Sequence, residues 1–365
     1  MTSRQKVVVA VVAVLLAGTI GFFTIGRGKK TMQQIDLNNN PQAVVDEKPL
    51  NSGDISAIAG LPCENRNRRP VAVMQPADVS ARPAAGFSDA DMVVEMPVIT
   101  AIITRLMAVY QCNTPDDVGS MRSSRHDFIH LAKGLDAIYV SWGGSHFAKE
   151  KLDEGVIDNM NCNNDGGKSA AQYCYRKQAT GTMHGVDTGY AKFEKLLEGA
   201  KDFGYRMENK FSGYPHREEA PIDQRPTGGH VRIGYPGPYE AEYFYDKETN
   251  TWKRTWGNVA ATDRNNGNRI APKNIAVIFS KSEQIEGQYN NMQLGDPWYD
   301  QSDSGDAYYF MDGRQIRGTW KKDKSNIASK LTFYDESGAE VKFIPGQIWV
   351  NVVEPGTAFK WEPGT

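Results

Sequence analysis

Three arginines and one glycine turn carry most of the chemistry that residue types and spacing suggest in this 365-residue chain. Arg105, Arg122 and Arg125 each offer a planar fork of donors suited to a carboxylate or a phosphate. Gly143, Gly144 and Ser145 form a turn that opens a helix, where free backbone N–H groups favour an anion. If strands over 105–111 and 137–142 are neighbours, their ends converge on one anion-binding pocket. The same arginines would otherwise pair internally with Glu95, Asp91 or Asp136, leaving the Gly-Gly turn to tight packing. Glu95 and His184 are the candidate bases for a hydrolase or transferase whose arginines hold an anionic substrate.

Other groupings weigh less. His126 and His130, at i and i+4, share a helix face as in zinc protease helices. Asp127 stands where those helices carry a longer Glu, and beyond His146 or His184 no third ligand is evident. The two histidines read as incidental, so no metal is expected. Asn161, Asn163, Asp165 and Gly166 resemble a calcium loop that lacks its acidic first position and encloses Cys162. They read as a disulfide-closed surface loop. Asp300, Asp303 and Asp306 read as a solvated acidic turn. The chain has no G-x-S-x-G, no S-x-x-K and no lone Cys beside a His. It therefore leans away from an enzyme, and no cofactor is expected. Most of the seven tryptophans are expected to fill a core.

These residues need elements to hold them. From residue 69 to about 197, strands and helices alternate. Strands are expected over 70–74, 92–98, 105–111 and 137–142 from their β-branched content. Helices are expected over 123–133 behind a Ser cap, over 146–155 with Ser145 as N-cap, and over 190–200 as an amphipathic stretch. From residue 230 onward short strand-like runs dominate, separated by turn residues, as in an antiparallel β assembly. The fold class is α/β (α+β mixed), with an α/β region at 61–222, a β-rich region at 223–357 and a tail at 358–365.

The first sixty residues read differently. Residues 7–25 are apolar and uncharged, nineteen residues that would rise about 28 Å as a helix. Arg4 and Lys6 precede the run, and Arg27, Lys29 and Lys30 follow it. It is longer than the core of a cleaved signal peptide and lacks a small-x-small end. We expect a basic tail at 1–6, an uncleaved transmembrane anchor at 7–26 and a flexible tether at 27–60. All four cysteines follow the anchor, and an even count suits an oxidising space. Spacing favours Cys63–Cys112 and Cys162–Cys174 among the three pairings that four cysteines allow. The large C-terminal part is thus expected outside the cytoplasm. A formal net charge of -2 argues against a nucleic-acid partner held by bulk charge.

Several ordered motifs are similar to the YerB-like family, a domain-of-unknown-function family of bacterial envelope proteins. They are RPVAVM, ARPAAGFSDADMVVE and ITRLMAVYQ, then VGSMRSSRHDFIHLAKGLDAIYVSWGGS, then DGRQIRGTWKK and LTFYDESGAEVKFIPGQIWV. Arg122 and Arg125 fall on the family's paired arginines, and 143–145 on its Gly-Gly-Ser turn. Gln75-Pro76-Ala77, Ile99-Thr100-Ala101 and His184-Gly185 depart from the family pattern, while Glu95 and Arg105 keep it. The resemblance implies a membrane-attached α/β protein outside the cell, commonly a lipoprotein, and no established activity. The resulting expectation is a membrane-anchored binding or accessory module of the bacterial envelope. Its Arg/Gly-Gly-Ser pocket would take an anionic envelope ligand or an envelope protein. Two alternatives stand beside it: a hydrolase or transferase on an envelope polymer, and a scaffold with an exposed apolar patch for a partner protein.

Overall fold

Strands covered on both faces read as unbroken apolar runs, because neither face needs polar residues. Such runs build the centre of this protein. The computed structural model describes residue 53 and residues 55–99, 103–287 and 289–365. All of them fall within one compact unit. The expected anchor at 7–26 and most of the tether lie outside the described residues, as do Thr100 and Ala101. Among the described residues no helix is long and apolar enough to cross a membrane.

In chain order the strands are β1 (Val71–Pro76), β2 (Met92–Ile99), β3 (Ile103–Tyr110), β4 (Asp117–Gly119), β5 (Ile138–Ser141), β6 (Asn159–Asn161), β7 (Tyr175–Arg176), β8 (Gly189–Lys192), β9 (Gly229–Ile233) and β10 (Ala241–Asp246). There follow β11 (Thr251–Trp256), β12 (Val259–Ala260), β13 (Asn274–Phe279), β14 (Ser282–Glu286), β15 (Tyr289–Met292), β16 (Ser304–Met311), β17 (Arg314–Lys321), β18 (Thr332–Asp335), β19 (Ile348–Val353) and β20 (Phe359–Pro363). The α-helices among the described residues are α1 (His126–Gly134), α2 (His146–Asp153) and α3 (Phe193–Asp202).

A twelve-stranded mixed sheet runs β18-β17-β16-β13-β19-β2-β3-β1-β5-β6, with the β14–β15 hairpin joined to β2 where Tyr289 faces Ile99. β19, from near the chain's end, lies parallel between β13 and β2. The expected boundary near 222 is therefore crossed by one sheet, and the later half contributes parallel as well as antiparallel pairs. A second, five-stranded antiparallel sheet has the order β12-β11-β10-β9-β20. Its β10 alternates buried Ala241, Tyr243 and Tyr245 with outward Glu242, Phe244 and Asp246, the period-2 pattern of a half-buried strand.

Side-chain alternation sends the two faces of the central sheet into two cores. Val73, Val93, Leu106, Ile138, Val277 and Trp349 point to one face, where Tyr243 and Trp252 of the second sheet and Phe193 of α3 pack. Met74, Val94, Met107, Tyr139, Ile278 and Val350 point to the other, against Phe128 of α1 and Leu152 of α2.

Several expectations need correction. Residues 358–365 are not a tail, since β20 pairs with β9 from Phe359↔Ile233 to Pro363↔Gly229. Order begins before residue 61, because Ile58 and Ala59 are fully buried. The helix expected from 123 starts at His126, since Ser124 bonds across to the glycine turn. The stretch expected to be helical from 190 first forms β8, and α3 starts at Phe193. Asp300 is not solvated but 7% exposed.

Candidate functional site

β1, β5 and β2 run parallel and end on one edge of the central sheet, with the start of β3 between β2 and β1. Such an edge is where open α/β sheets place ligands. Arg105 sits there in β3, opposite Pro76 and Met96. The segment 122–125 is threaded between the ends of β1 and β5. Arg122 N donates to Met74 O at 2.9 Å, and Trp142 N donates to Arg122 O at 3.0 Å. Ser124 N then donates to Gly143 O at 2.8 Å, and Ser145 N to Ser124 O at 3.2 Å. The Gly-Gly-Ser turn thus braces the arginine segment, but β3 and β5 are not the neighbours expected, since β1 lies between them.

Two of that turn's three amides are spent internally. Gly143 N donates to Asn161 Oδ1 at 2.8 Å, and Ser145 Oγ caps α2 by accepting from Ala148 N at 3.2 Å. With Ser145 N also taken, the turn's part is to hold position rather than to present a nest of free donors.

The guanidinium groups are unevenly compensated. Arg122 Nη2 donates to Asp187 Oδ1 at 2.6 Å and to Asp78 Oδ2 at 3.4 Å. Asp187 is fully buried and also accepts from Ser80 Oγ at 2.7 Å. Asp78 is shared with Tyr239, whose hydroxyl donates to Oδ1 at 3.0 Å. Arg105 is 7% exposed, and among the described residues its side chain has no carboxylate partner and one hydrogen bond, Nη1 to Ser123 O at 3.3 Å. Burial, then the nearby Arg125 and Arg122 charges, push its pKa down to about 9. Arg125 donates to Ser124 O at 2.9 Å and lies over the Tyr289 ring, 5.9 Å from its centroid; burial lowers its pKa as well. The Nε atoms of all three are buried without partners.

Glu95 does not join this group. In β2 it alternates with Val94 and Met96, so it faces the second sheet, whereas Arg105 faces the helices together with Met107. Glu95 is fully buried, 2.6 Å from Arg254 Nη2, and accepts from Thr104 Oγ1 at 2.8 Å. The sheet itself separates it from the arginines, so it is not placed to act as a base there. His184 is exposed and caps the short turn that carries Asp187, its N–H donating to Asp187 Oδ2 at 3.4 Å. It therefore reaches the cluster through Arg122's partner.

Sequence reasoning missed Asp78 and Asp187. Neither belongs to a motif, and each meets Arg122 only after long-range folding. Both expected disulfides, Cys63–Cys112 and Cys162–Cys174, are formed. A separate cleft of about 460 Å³ opens where β2 and β3 approach the loops after β9 and β19, lined by Pro97, Thr104, Tyr235 and Glu354 among others. The outer face of the five-stranded sheet is mostly polar. Its exposed large apolar residues, among those described, are Phe244, stacked on His230, and Val259.

A mixed central sheet backed by a second β layer and by helices defines an α/β protein whose two sequence halves fold as one body. Residues 58–206 match the N-terminal domain and residues 231–350 the C-terminal domain of the family described as "Protein of unknown function (DUF3048)", and the chain belongs to that family. It is similar to the "Putative lipoprotein YerB" of Bacillus subtilis, at 29% identity over 303 residues that cover 81% of this chain and 85% of the relative. It is also similar to the crystal structure of the Bacillus subtilis YerB protein, with a TM-score of 0.70 and 26% identity. That match covers 84% of this chain and 99% of the solved one.

Proposed function

We propose that this protein is an extracytoplasmic, membrane-tethered binding module of the cell envelope whose Arg105–Arg122–Arg125 cluster takes an anionic group. The observation that carries the reading is Arg105, a buried guanidinium beside two others with no carboxylate of its own. Buried charges are ordinarily paired. A carboxylate or phosphate entering at this edge would supply the missing partner, with Arg105 and Arg125 as donors and Arg122 held in place by Asp187 and Asp78. The two disulfides support an oxidising compartment. The relative's designation as a lipoprotein supports attachment at a membrane surface.

Capture of anionic envelope fragments by the immobilised full chain tests the reading. Arg105→Met and Arg125→Gln are expected to reduce capture by about tenfold each, the effect of roughly 1.4 kcal/mol. Arg122→Ala is a poorer probe, because it strands the buried Asp187. Capture unchanged in both of the first two variants would refute the site.

A further inference from the structure

The start of α1 faces a second cluster of polar groups that the arginine site does not use. Asp127 Oδ1 accepts from Met292 N at 3.0 Å, and His126 Nε2 lies 2.8 Å from Asn291 Oδ1. Asn291 Nδ2 donates to Asp300 Oδ1 at 2.6 Å, and Asp300 Oδ2 accepts from Asp296 N at 2.7 Å. His126, Asp127 and Asp296 are 2%, 1% and 0% exposed. One donor atom from each of these three lies within 4.8 Å of the others.

Two further observations point to a ligand. Asp296 Oδ1 is satisfied by the N–H groups of Trp298 and Tyr299, at 2.6 and 2.7 Å, but Oδ2 is buried without a donor, and the Asp300 carboxyl lies close to the same carboxylate. His126 turns Nε2 into the same cluster, 3.4 Å from Asp127 Oδ1. The charge balance agrees. Asp127, Asp296 and Asp300 are three buried carboxylates, and the nearby buried Lys322 turns its Nζ to Ile327 O and Ser329 Oγ instead. Carboxylates removed from water need a cation or a proton.

We infer that His126, Asp127 and Asp296 bind one divalent first-row transition cation of the zinc or manganese type, with Asn291 and Asp300 bracing the ligands. Two bonds of about 2.0–2.1 Å at a tetrahedral cation put their donor atoms about 3.4 Å apart, the separation of His126 Nε2 and Asp127 Oδ1, which is 3.4 Å. An imidazole among carboxylates favours such ions over calcium, which prefers oxygen alone. The sequence concealed the set because Asp296 enters from a distant loop, while the eye is drawn to His130, four residues from His126. Since every ligand is buried, loading is expected during folding rather than by entry into the finished protein.

The full chain in detergent, with its disulfides intact, is unfolded in guanidinium with a chelator. It is then refolded with Zn²⁺, Mn²⁺, Ca²⁺ or chelator alone. Metal retained after desalting and the thermal midpoint are read for wild type, Asp296→Asn, Asp127→Asn and an exposed-acid control, Asp306→Asn. The expected result is about one Zn²⁺ or Mn²⁺ per wild-type chain and per control chain, with a raised midpoint. Retention should fall about tenfold or more in the two ligand variants. Wild type that retains no more metal than Asp296→Asn, with a midpoint indifferent to metal, overturns the inference and leaves a proton shared among the carboxylates. The wild-type measurement decides this even where a variant fails to fold.

Discussion

At the scale of single residues, two buried arginines in this protein make opposite contributions. Arg254 is fully buried, faces Glu95 at 2.6 Å and is packed between the rings of Trp256 and Trp349. Its charge is paired with that carboxylate, so Arg254→Met strands a buried Glu95 and is expected to cost about 3–5 kcal/mol in urea unfolding. Arg105 has no such partner, and its burial is a cost the fold carries. His216 gives a pH signature. Burial depresses its pKa to about 4, outweighing the hydrogen bond of Nε2 to Ile58 O at 3.1 Å, which acts the other way. The unfolded chain takes up that proton near pH 6.5 while the folded chain does not. The contribution is therefore fully present above about pH 6.5 and is lost as pH falls toward 4. The stability gap between wild type and His216→Gln should narrow from pH 7 to pH 4.5, as read from urea midpoints; a constant gap would deny the burial effect.

At the scale of elements, the site depends on a segment that belongs to no regular strand. Residues 122–124 borrow backbone partners from β1 and from the turn after β5, and this places Arg122 and Arg125 beside Arg105. The strands were readable from their apolar runs, and the Ser145 cap from its position before a helical pattern. The strand alternation around Glu95 was readable too, but which neighbour β2 takes is a long-range fact that no local pattern encodes. That is why Glu95 looked like a companion of the arginines and is not one. β20 was missed because FKWEP is short, carries Pro363 and is charged on its exposed side. The polar β14–β15 hairpin gave no apolar period to detect. The disulfides staple loops of different length, with separations of 49 and 12 residues. Loop-closure entropy gives about 4 and about 3 kcal/mol, so replacing Cys63 and Cys112 by Ser should lower the unfolding midpoint more than replacing Cys162 and Cys174.

At the scale of the whole molecule, the division of the sequence into an α/β part and a β-rich part survives as composition but not as packing. β19 is the hydrogen-bonded neighbour of both β13 and β2, so neither half completes the central sheet alone. A fragment ending at residue 222 leaves the β2 edge and one sheet face uncovered. It is expected to aggregate or to lack a cooperative unfolding transition by circular dichroism. Under the proposed function the whole chain surrenders stability to keep a guanidinium without a carboxylate partner at the end of β1, β2 and β5, which makes a prediction of unusual sign. The most direct measurement is the thermal unfolding of Arg105→Met against wild type, without ligand and with captured anionic envelope material. The variant is expected to be more stable than wild type without ligand, by about 1–4 kcal/mol, and to gain nothing when the anion is added. A variant less stable than wild type, or one still stabilised by the anion to the same extent, would contradict the account.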